Sequence, residues 1–393
     1  MKPTSSFLNL PQSGIRRMYD LAKNKKDTVS FVLGEPDFVT PKHIIEAAKK
    51  KLDEGCTHYT DNAGILPLRQ EISRALKQYD KVDYDPEGEI VVTVGGMMGM
   101  YMAILALVNP GDEILIADPS YTNYVGEIVM NRAVAVSVPV YEKDNFNFTY
   151  ENLKSRVTDK TKAIILNSPC NPTGGVATRE TMETVAKVAL EYDLYVIYDA
   201  VYKHLIYNDT DYINIAVLDG MRERTIYVDS FSKTYAMTGW RIGFIAGPEW
   251  IVKACNKLQG QYTSGPCSVS QKAAEAAYTG TQAPVEEMRK AFERRRDLIV
   301  KLAKEIPGFE VNNPQGAFYL FPKCDSFFGK AAGDRQINNS DDLAMYLLEV
   351  GHVACVGGTS FGAPECIRMS YATSDENIVE AMRRIKEALA ELK

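Results

Sequence analysis

A chain of 393 residues, 45 % hydrophobic and 24 % charged, has room for two globular bodies and the composition of an ordinary globular protein. Its net charge of −6 speaks against a nucleic-acid partner, which needs a basic stripe, and no apolar run reaches the roughly 20 residues of a membrane span. Seven cysteines without a Cys-x-x-Cys pair, beside four histidines, speak against a disulfide scaffold and a zinc site and point to a reducing cytoplasm. Met1 to Ser6 carry no apolar signal core, so export is not expected. Helical patterns run over 43–54 and 64–79. From 89 to 247 short apolar runs alternate with helical stretches such as 179–192. The runs lie at 89–95, 112–119, 133–140, 162–169, 194–202, 224–233 and 239–247. Most are rich in Val and Ile and nearly continuous, as strands covered on both faces by helices are. Strand and helix in alternation predict an α/β body with a mainly parallel, seven-stranded sheet. A long charged helix is expected over 284–304, then short strands at 316–321, 353–356 and 367–372 and a helix over 375–392. These form a smaller α+β body. The expected division is 1–45 as an N-terminal arm and part of the small domain, 46–283 as the large domain and 284–393 as the small C-terminal domain.

Ligands of open α/β sheets bind beyond the carboxyl ends of the strands. Those ends carry Gly95 and Gly96 after the first run, Asn171 after the fourth, Asp199 and Tyr202 at the fifth and Lys233 at the sixth. Around the last, Ser230-Phe231-Ser232-Lys233-Thr234-Tyr235-Ala236-Met237-Thr238-Gly239-Trp240-Arg241 sets an amine between hydroxyls, eight residues before a guanidinium. An amine for a carbonyl beside a guanidinium for an anion suits a lysine-bound aldehyde phosphate, pyridoxal 5′-phosphate (PLP). Most lysines are solvated surface charges; here the surrounding motifs decide.

Those motifs resemble a known family over nearly the whole chain. Ser230-x-Ser232-Lys233 with Gly239-Trp240-Arg241-x-Gly243 is similar to the lysine signature of class I, fold-type I PLP-dependent aminotransferases. Asn167-Ser168-Pro169-Cys170-Asn171-Pro172-Thr173-Gly174 resembles their asparagine-proline motif. Gly34-Glu35-Pro36-Asp37-Phe38 matches their substrate-side loop, and Arg368-Met369-Ser370-Tyr371 their late arginine. The order of the motifs is also the family's. Met237-Thr238-Gly239-Trp240-Arg241 looks most like the aspartate and aromatic aminotransferase subgroup.

The resemblance implies a role for each matched residue. Lys233 would condense with the aldehyde and later shuttle a proton, which requires an unprotonated amine in a dry, cation-rich pocket. Asp199 would keep the pyridine nitrogen protonated. Tyr202 and Asn171 would bond the phenolic oxygen, and Tyr121 would stack on the ring. Ser230, Ser232 and Arg241, with the Gly95-Gly96-Met97 backbone at a helix start, would hold the phosphate. Tyr59 would reach the phosphate from the partner subunit, which implies a homodimer with shared sites. Arg368 would clamp the substrate carboxylate with Gly34 and Asn171, and Ile15 of the arm would fold over the substrate. Two departures stand out. Asp199-Ala200-Val201-Tyr202 lacks the usual glutamate after the aspartate, and Gly95-Gly96-Met97 lacks a hydroxyl or alanine common in relatives.

The reaction expected is ping-pong transfer from aspartate or an aromatic L-amino acid to a 2-oxo acid such as 2-oxoglutarate. Some aspartate-specific relatives place a lysine near the first glycine loop; here that stretch reads Gly95-Gly96-Met97-Met98-Gly99-Met100, which keeps a broad or aromatic specificity open. The alternative on the same fold is a PLP-dependent β-lyase. A non-catalytic PLP-binding regulator would carry an N-terminal DNA-binding module, and the motifs begin by Gly34 in an acidic chain.

Overall fold

The computed structural model describes residues 13–208 and 210–393. Seven strands form its central sheet: β1 (Ile90–Thr93), β2 (Glu113–Asp118), β3 (Val134–Pro139), β4 (Thr161–Asn167), β5 (Tyr195–Asp199), β6 (Thr225–Ser230) and β7 (Gly243–Ala246). Their order is β1-β7-β6-β5-β4-β2-β3. Only β7 runs antiparallel to its neighbours; the remaining pairs are parallel. Along each inner strand successive side chains enter different cores. Leu115, Ile164, Val196 and Tyr227 lie in one, and Ile114, Ala163, Ile197 and Ile226 in the other. That alternation follows from the two-residue period of a strand, and both faces are apolar because helices cover both.

Helices Lys42–Asp53, Leu66–Ala75, Arg179–Glu191 and Ser268–Thr279 cover the first face. Arg179–Glu191 begins at Thr178, whose hydroxyl accepts from the Thr181 N–H at 3.1 Å, and turns Met182, Val185, Ala186 and Ala189 inward. Helix α1 (Gly95–Leu107), with Met100, Met102 and Ala103, packs on the other face beside Ile251, Val252 and Cys255.

A further core gathers Met18, Phe31 and Val32 from the N-terminal region with residues from 288 onward. It holds the helices Ala283–Lys304, Ser340–Glu349 and Asp375–Ala390 and a three-stranded antiparallel sheet. The strands are β8 (Tyr319–Leu320), β9 (Val356–Gly357) and β10 (Ile367–Ser370), with β10 in the middle. Val29–Ser30 pairs with Val353–Ala354, stitching the N-terminal segment to this body.

Two expectations change, and one helix lies where the sequence predicts none. The run 224–233 is not one strand: β6 stops at Ser230, whose hydroxyl accepts from the Ser232 N–H at 3.4 Å and starts a short helix, α2 (Phe231–Thr234). The run at 133–140 is covered less than expected, because β3 is an edge strand and Val134 is 46 % exposed. Helix Ser268–Thr279 had no clear periodic signal, since its inward face is Ser270, Gln271, Ala273, Ala274 and Ala277, with little contrast against its outer face. The seven cysteines are all free thiols. No helix among the described residues is long and apolar enough to cross a membrane.

Candidate active site

A cavity of about 290 Å³ opens where the carboxyl ends of β4, β5 and β6 meet the start of α1 and strands β8 and β10. It collects most of the residues singled out in the sequence. Gly96 and Met97 line it from α1, Tyr121 from the loop after β2, Asn171 from the loop after β4, and Asp199 and Tyr202 from β5 and the turn beyond it. Ser230, Ser232, Lys233 and Arg241 close one side, and Gly34, Ile15 and Arg368 the other. Tyr59 is 93 % exposed and lines no part of this cavity.

Lys233 is held half-buried on α2, and its Nζ donates to the Gly34 carbonyl at 2.5 Å. Burial pushes the amine down to about 8; Arg241 and Arg368 act in the same direction, against Glu35 and Asp199. A neutral, nucleophilic amine is therefore accessible near neutral pH, which a solvated lysine at roughly 10.4 does not offer.

Asp199 ends β5. Tyr124 donates to its Oδ2 at 2.6 Å and the Val201 N–H to its Oδ1 at 3.3 Å. Burial raises its pKa, while those two bonds and Lys233 hold it down. Asn167, at the end of β4, fixes the neighbouring loop: its Nδ2 donates to the Asp199 carbonyl at 3.1 Å, and its Oδ1 accepts from the Asn171 N–H at 2.9 Å. Asn171 then accepts through Oδ1 from Arg368 Nη1 at 3.0 Å, leaving its own amide hydrogens to donate.

Arg368 is fully buried on β10. Its second nitrogen donates to the Val32 carbonyl, its Nε has no partner among the described residues, and its guanidinium lies 4.7 Å from the Tyr319 ring and 5.0 Å from that of Phe361. Burial lowers its pKa, with Tyr319, Tyr202 and Tyr121 opposing. A buried guanidinium with an unsatisfied N–H and no carboxylate partner is prepared for an incoming anion.

The opposite end of the cavity is a second anion cradle. Gly95 has φ +77°, and a Cβ there would stand 2.7 Å from Arg241 Nη2, so the absent side chain is what lets the guanidinium lie against the start of α1. Arg241 is itself left-handed at φ +52° and donates to the Thr238 carbonyl at 2.9 Å. The Ser230 N–H is taken by Asp229 Oδ1 at 2.6 Å, which leaves the serine hydroxyls, Arg241 and the first N–H groups of α1 as donors. The site thus offers an amine that loses its proton more readily than a solvated lysine, a buried carboxylate and an anion cradle at each end.

Three contributors were not evident in the sequence. Tyr124 holds Asp199, Asn167 orients Asn171, and Tyr319 places its hydroxyl 2.6 Å from that of Tyr202. Asn167 lay inside a recognised motif. No signal distinguished Tyr124 or Tyr319 among 22 tyrosines.

Comparison with known proteins agrees with this geometry. Residues 26–385 match the family model described as aminotransferase class I and II. An aspartate aminotransferase of Pyrococcus abyssi is 42 % identical over 97 % of this chain and 96 % of its own length. An aromatic-amino-acid aminotransferase of Thermococcus litoralis is 39 % identical over 97 % and 96 %. Among solved structures, the aspartate aminotransferase of Rhizobium meliloti superposes with a TM-score of 0.96 at 34 % identity, covering 100 % of both chains.

Proposed function

The chain belongs to the class I and II aminotransferases, moving an amino group from an amino acid to a 2-oxo acid, and we propose that it does so on PLP attached through Lys233. The observation that carries this reading is that Lys233, Asp199, Arg241 and Arg368 line one cavity, the lysine between two groups suited to anions. When bound, PLP supplies a carbonyl for that amine and a ring that takes up the electrons of a broken bond to the substrate's Cα. The residues fit it. Asp199 holds a proton on the ring nitrogen, Tyr202 and the Asn171 amide donate to the phenolic oxygen, and Tyr121 covers a ring face. Ser230, Ser232, Arg241 and the backbone of Gly95, Gly96 and Met97 take the phosphate. Arg368, with Gly34 and Asn171 beside it, binds the substrate's α-carboxylate. The Lys233 amine would serve as the base that accepts the proton from the substrate's Cα and later returns it. Lys233 lies in the body formed by 46–283 and Arg368 in that formed by 284–393 with the 1–45 arm, the division we adopt.

For the donor we propose aspartate or an aromatic L-amino acid, with 2-oxoglutarate as an acceptor, in a ping-pong cycle. The names of the relatives support both donors. The apolar side chains among the cavity's lining, Ile15, Leu33, Met97 and Met100, favour the aromatic one. Tyr59, exposed in the single chain, fits a donor to a partner's phosphate and supports a homodimer with shared sites. Seven free thiols support a reducing, cytoplasmic setting.

Absorbance of the purified protein with PLP tests the reading. A violet band that fades on adding aspartate or tyrosine, with no 2-oxo acid present, is the expected result and selects the donor. No band after adding PLP would refute the role of Lys233.

A further inference from the structure

Tyr319 sits on β8, paired with Ser370 of β10 two residues along from Arg368. Its side chain is buried and meets three parts of the site at once. Its hydroxyl lies 2.6 Å from that of Tyr202, its ring faces Arg368 at 4.7 Å, and that hydroxyl is the first atom a Cβ on Gly34 would strike. Nothing in the reaction as described above uses it.

Either hydroxyl can donate in this bond, and proton counting selects the direction once an anionic oxygen occupies the cavity. A phenol has one hydrogen to give and can also accept. Among the described residues Tyr319 has no hydrogen-bond partner for its hydroxyl except Tyr202. Tyr202 also lines the cavity. If Tyr202 donated to Tyr319, it would have no hydrogen left for an anionic oxygen in the cavity. If Tyr319 donates, the Tyr202 hydrogen points inward, and the chain of two bonds makes Tyr202 the stronger donor. An anion in the cavity selects the second arrangement. The titratable or charged groups around Tyr319 are Arg368, Tyr202, Tyr121, Asp199 and Cys170. None of the other four is placed to accept its hydrogen in preference to Tyr202.

We infer that Tyr319 is a positioning residue for aminotransfer: it donates to Tyr202, aims the Tyr202 hydrogen at the cofactor's phenolic oxygen, and braces the Arg368 guanidinium through its ring. This rests on the assignment of PLP to the cavity. One side chain then links the carboxylate clamp to the group that tunes the lysine-bound cofactor.

The test is a pH titration of the visible band of the PLP-loaded enzyme. A donor to the phenolic oxygen lowers the midpoint of that titration, so weakening Tyr202 raises it. Tyr319→Phe keeps the ring over Arg368 and deletes only the hydroxyl. Its midpoint is expected to rise by about 0.5 to 1 pH unit, while affinity for an unreactive dicarboxylate such as maleate stays within about twofold. Because Tyr319 acts through Tyr202, Tyr202→Phe should raise the midpoint further, and Tyr202→Phe with Tyr319→Phe should match Tyr202→Phe alone. A midpoint for Tyr319→Phe equal to wild type, or additive shifts in the double variant, would overturn the inference and leave the cofactor assignment standing. A wild-type protein with no visible band would overturn both.

Discussion

Replacing Lys203 by methionine removes the cation from a buried cluster whose Asp229 precedes the cavity-lining Ser230. Lys203 Nζ is 2.7 Å from Asp80 Oδ2 and 3.2 Å from Asp229 Oδ2, and the three side chains are 3 %, 0 % and 4 % exposed. Burial opposes the charge on Lys203, but the two carboxylates outweigh it and its pKa is raised. Tyr212, Asn214 and Tyr227 donate to Asp80 Oδ1 at 2.8, 3.2 and 3.1 Å, so Asp80 is well satisfied. Asp229 is less so: burial, with Asp80 nearby, pushes it up to about 6 even though Lys203 pulls it down. Methionine fills much the same space and leaves two carboxylates without their cation. Breaking one partner out of a buried pair costs about 3–5 kcal/mol. In a chain of 393 residues 1 kcal/mol is worth roughly 1.2 °C, so the melting temperature should fall by about 4–6 °C.

The pH dependence separates charge from packing. In the wild type the folded state keeps a proton on Asp229 that the unfolded chain has released, so this group's contribution to stability falls as pH rises from about 4 to about 6 and is flat above. Without Lys203 the folded value moves higher and the loss continues to higher pH. The deficit of Lys203→Met should therefore be small near pH 4.5 and full near pH 8. Adding Asp80→Asn, which keeps the acceptor and drops the charge, should recover at least half of it. Melting curves at both pH values measure this. A deficit independent of pH, with no recovery in the double variant, would mean that lost contacts and not stranded charge are responsible.

Two further outcomes bear on the site. Reattachment of PLP to apoenzyme, followed by growth of the visible band, should accelerate with pH up to about 8 and then level off, because Lys233 is neutral above that value; a rate still climbing beyond pH 9 would place the amine in solvent. Arg368→Lys cannot keep the bond to Asn171, the bond to Val32 and a two-pronged grip on a carboxylate together. It should raise KM for the amino donor roughly 30-fold, about 2 kcal/mol, in steady-state kinetics, and an unchanged KM would remove Arg368 from the clamp.

What the sequence made legible is what local chemistry encodes. A left-handed glycine at a strand-to-helix turn, an amine between hydroxyls and an asparagine in turn-forming company each announce themselves within a few neighbours, and Gly95, Lys233 and Asn171 all line or flank the cavity as expected. The central strands were legible because both faces are apolar, and the edge strand β3 misled for the same reason: its composition follows theirs while its burial does not. The Asp80, Lys203 and Asp229 cluster was not legible. Asp80 follows a predicted helix and reads as a solvated end, Lys203 follows the tyrosine that draws attention, and Asp229 precedes the serine that does. Their meeting depends on where three distant segments pack, which no periodicity carries. Tyr124 and Tyr319 were hidden differently. On an element that is apolar around them, a tyrosine reads as core, and both are in fact buried there. Burial is also what makes their hydroxyls consequential, since a buried phenol must find a partner, and the partners it finds here are Asp199 and Tyr202. The pattern that marks such residues as structural therefore also places them one hydrogen bond from the chemistry, and only their position in the fold tells the two roles apart.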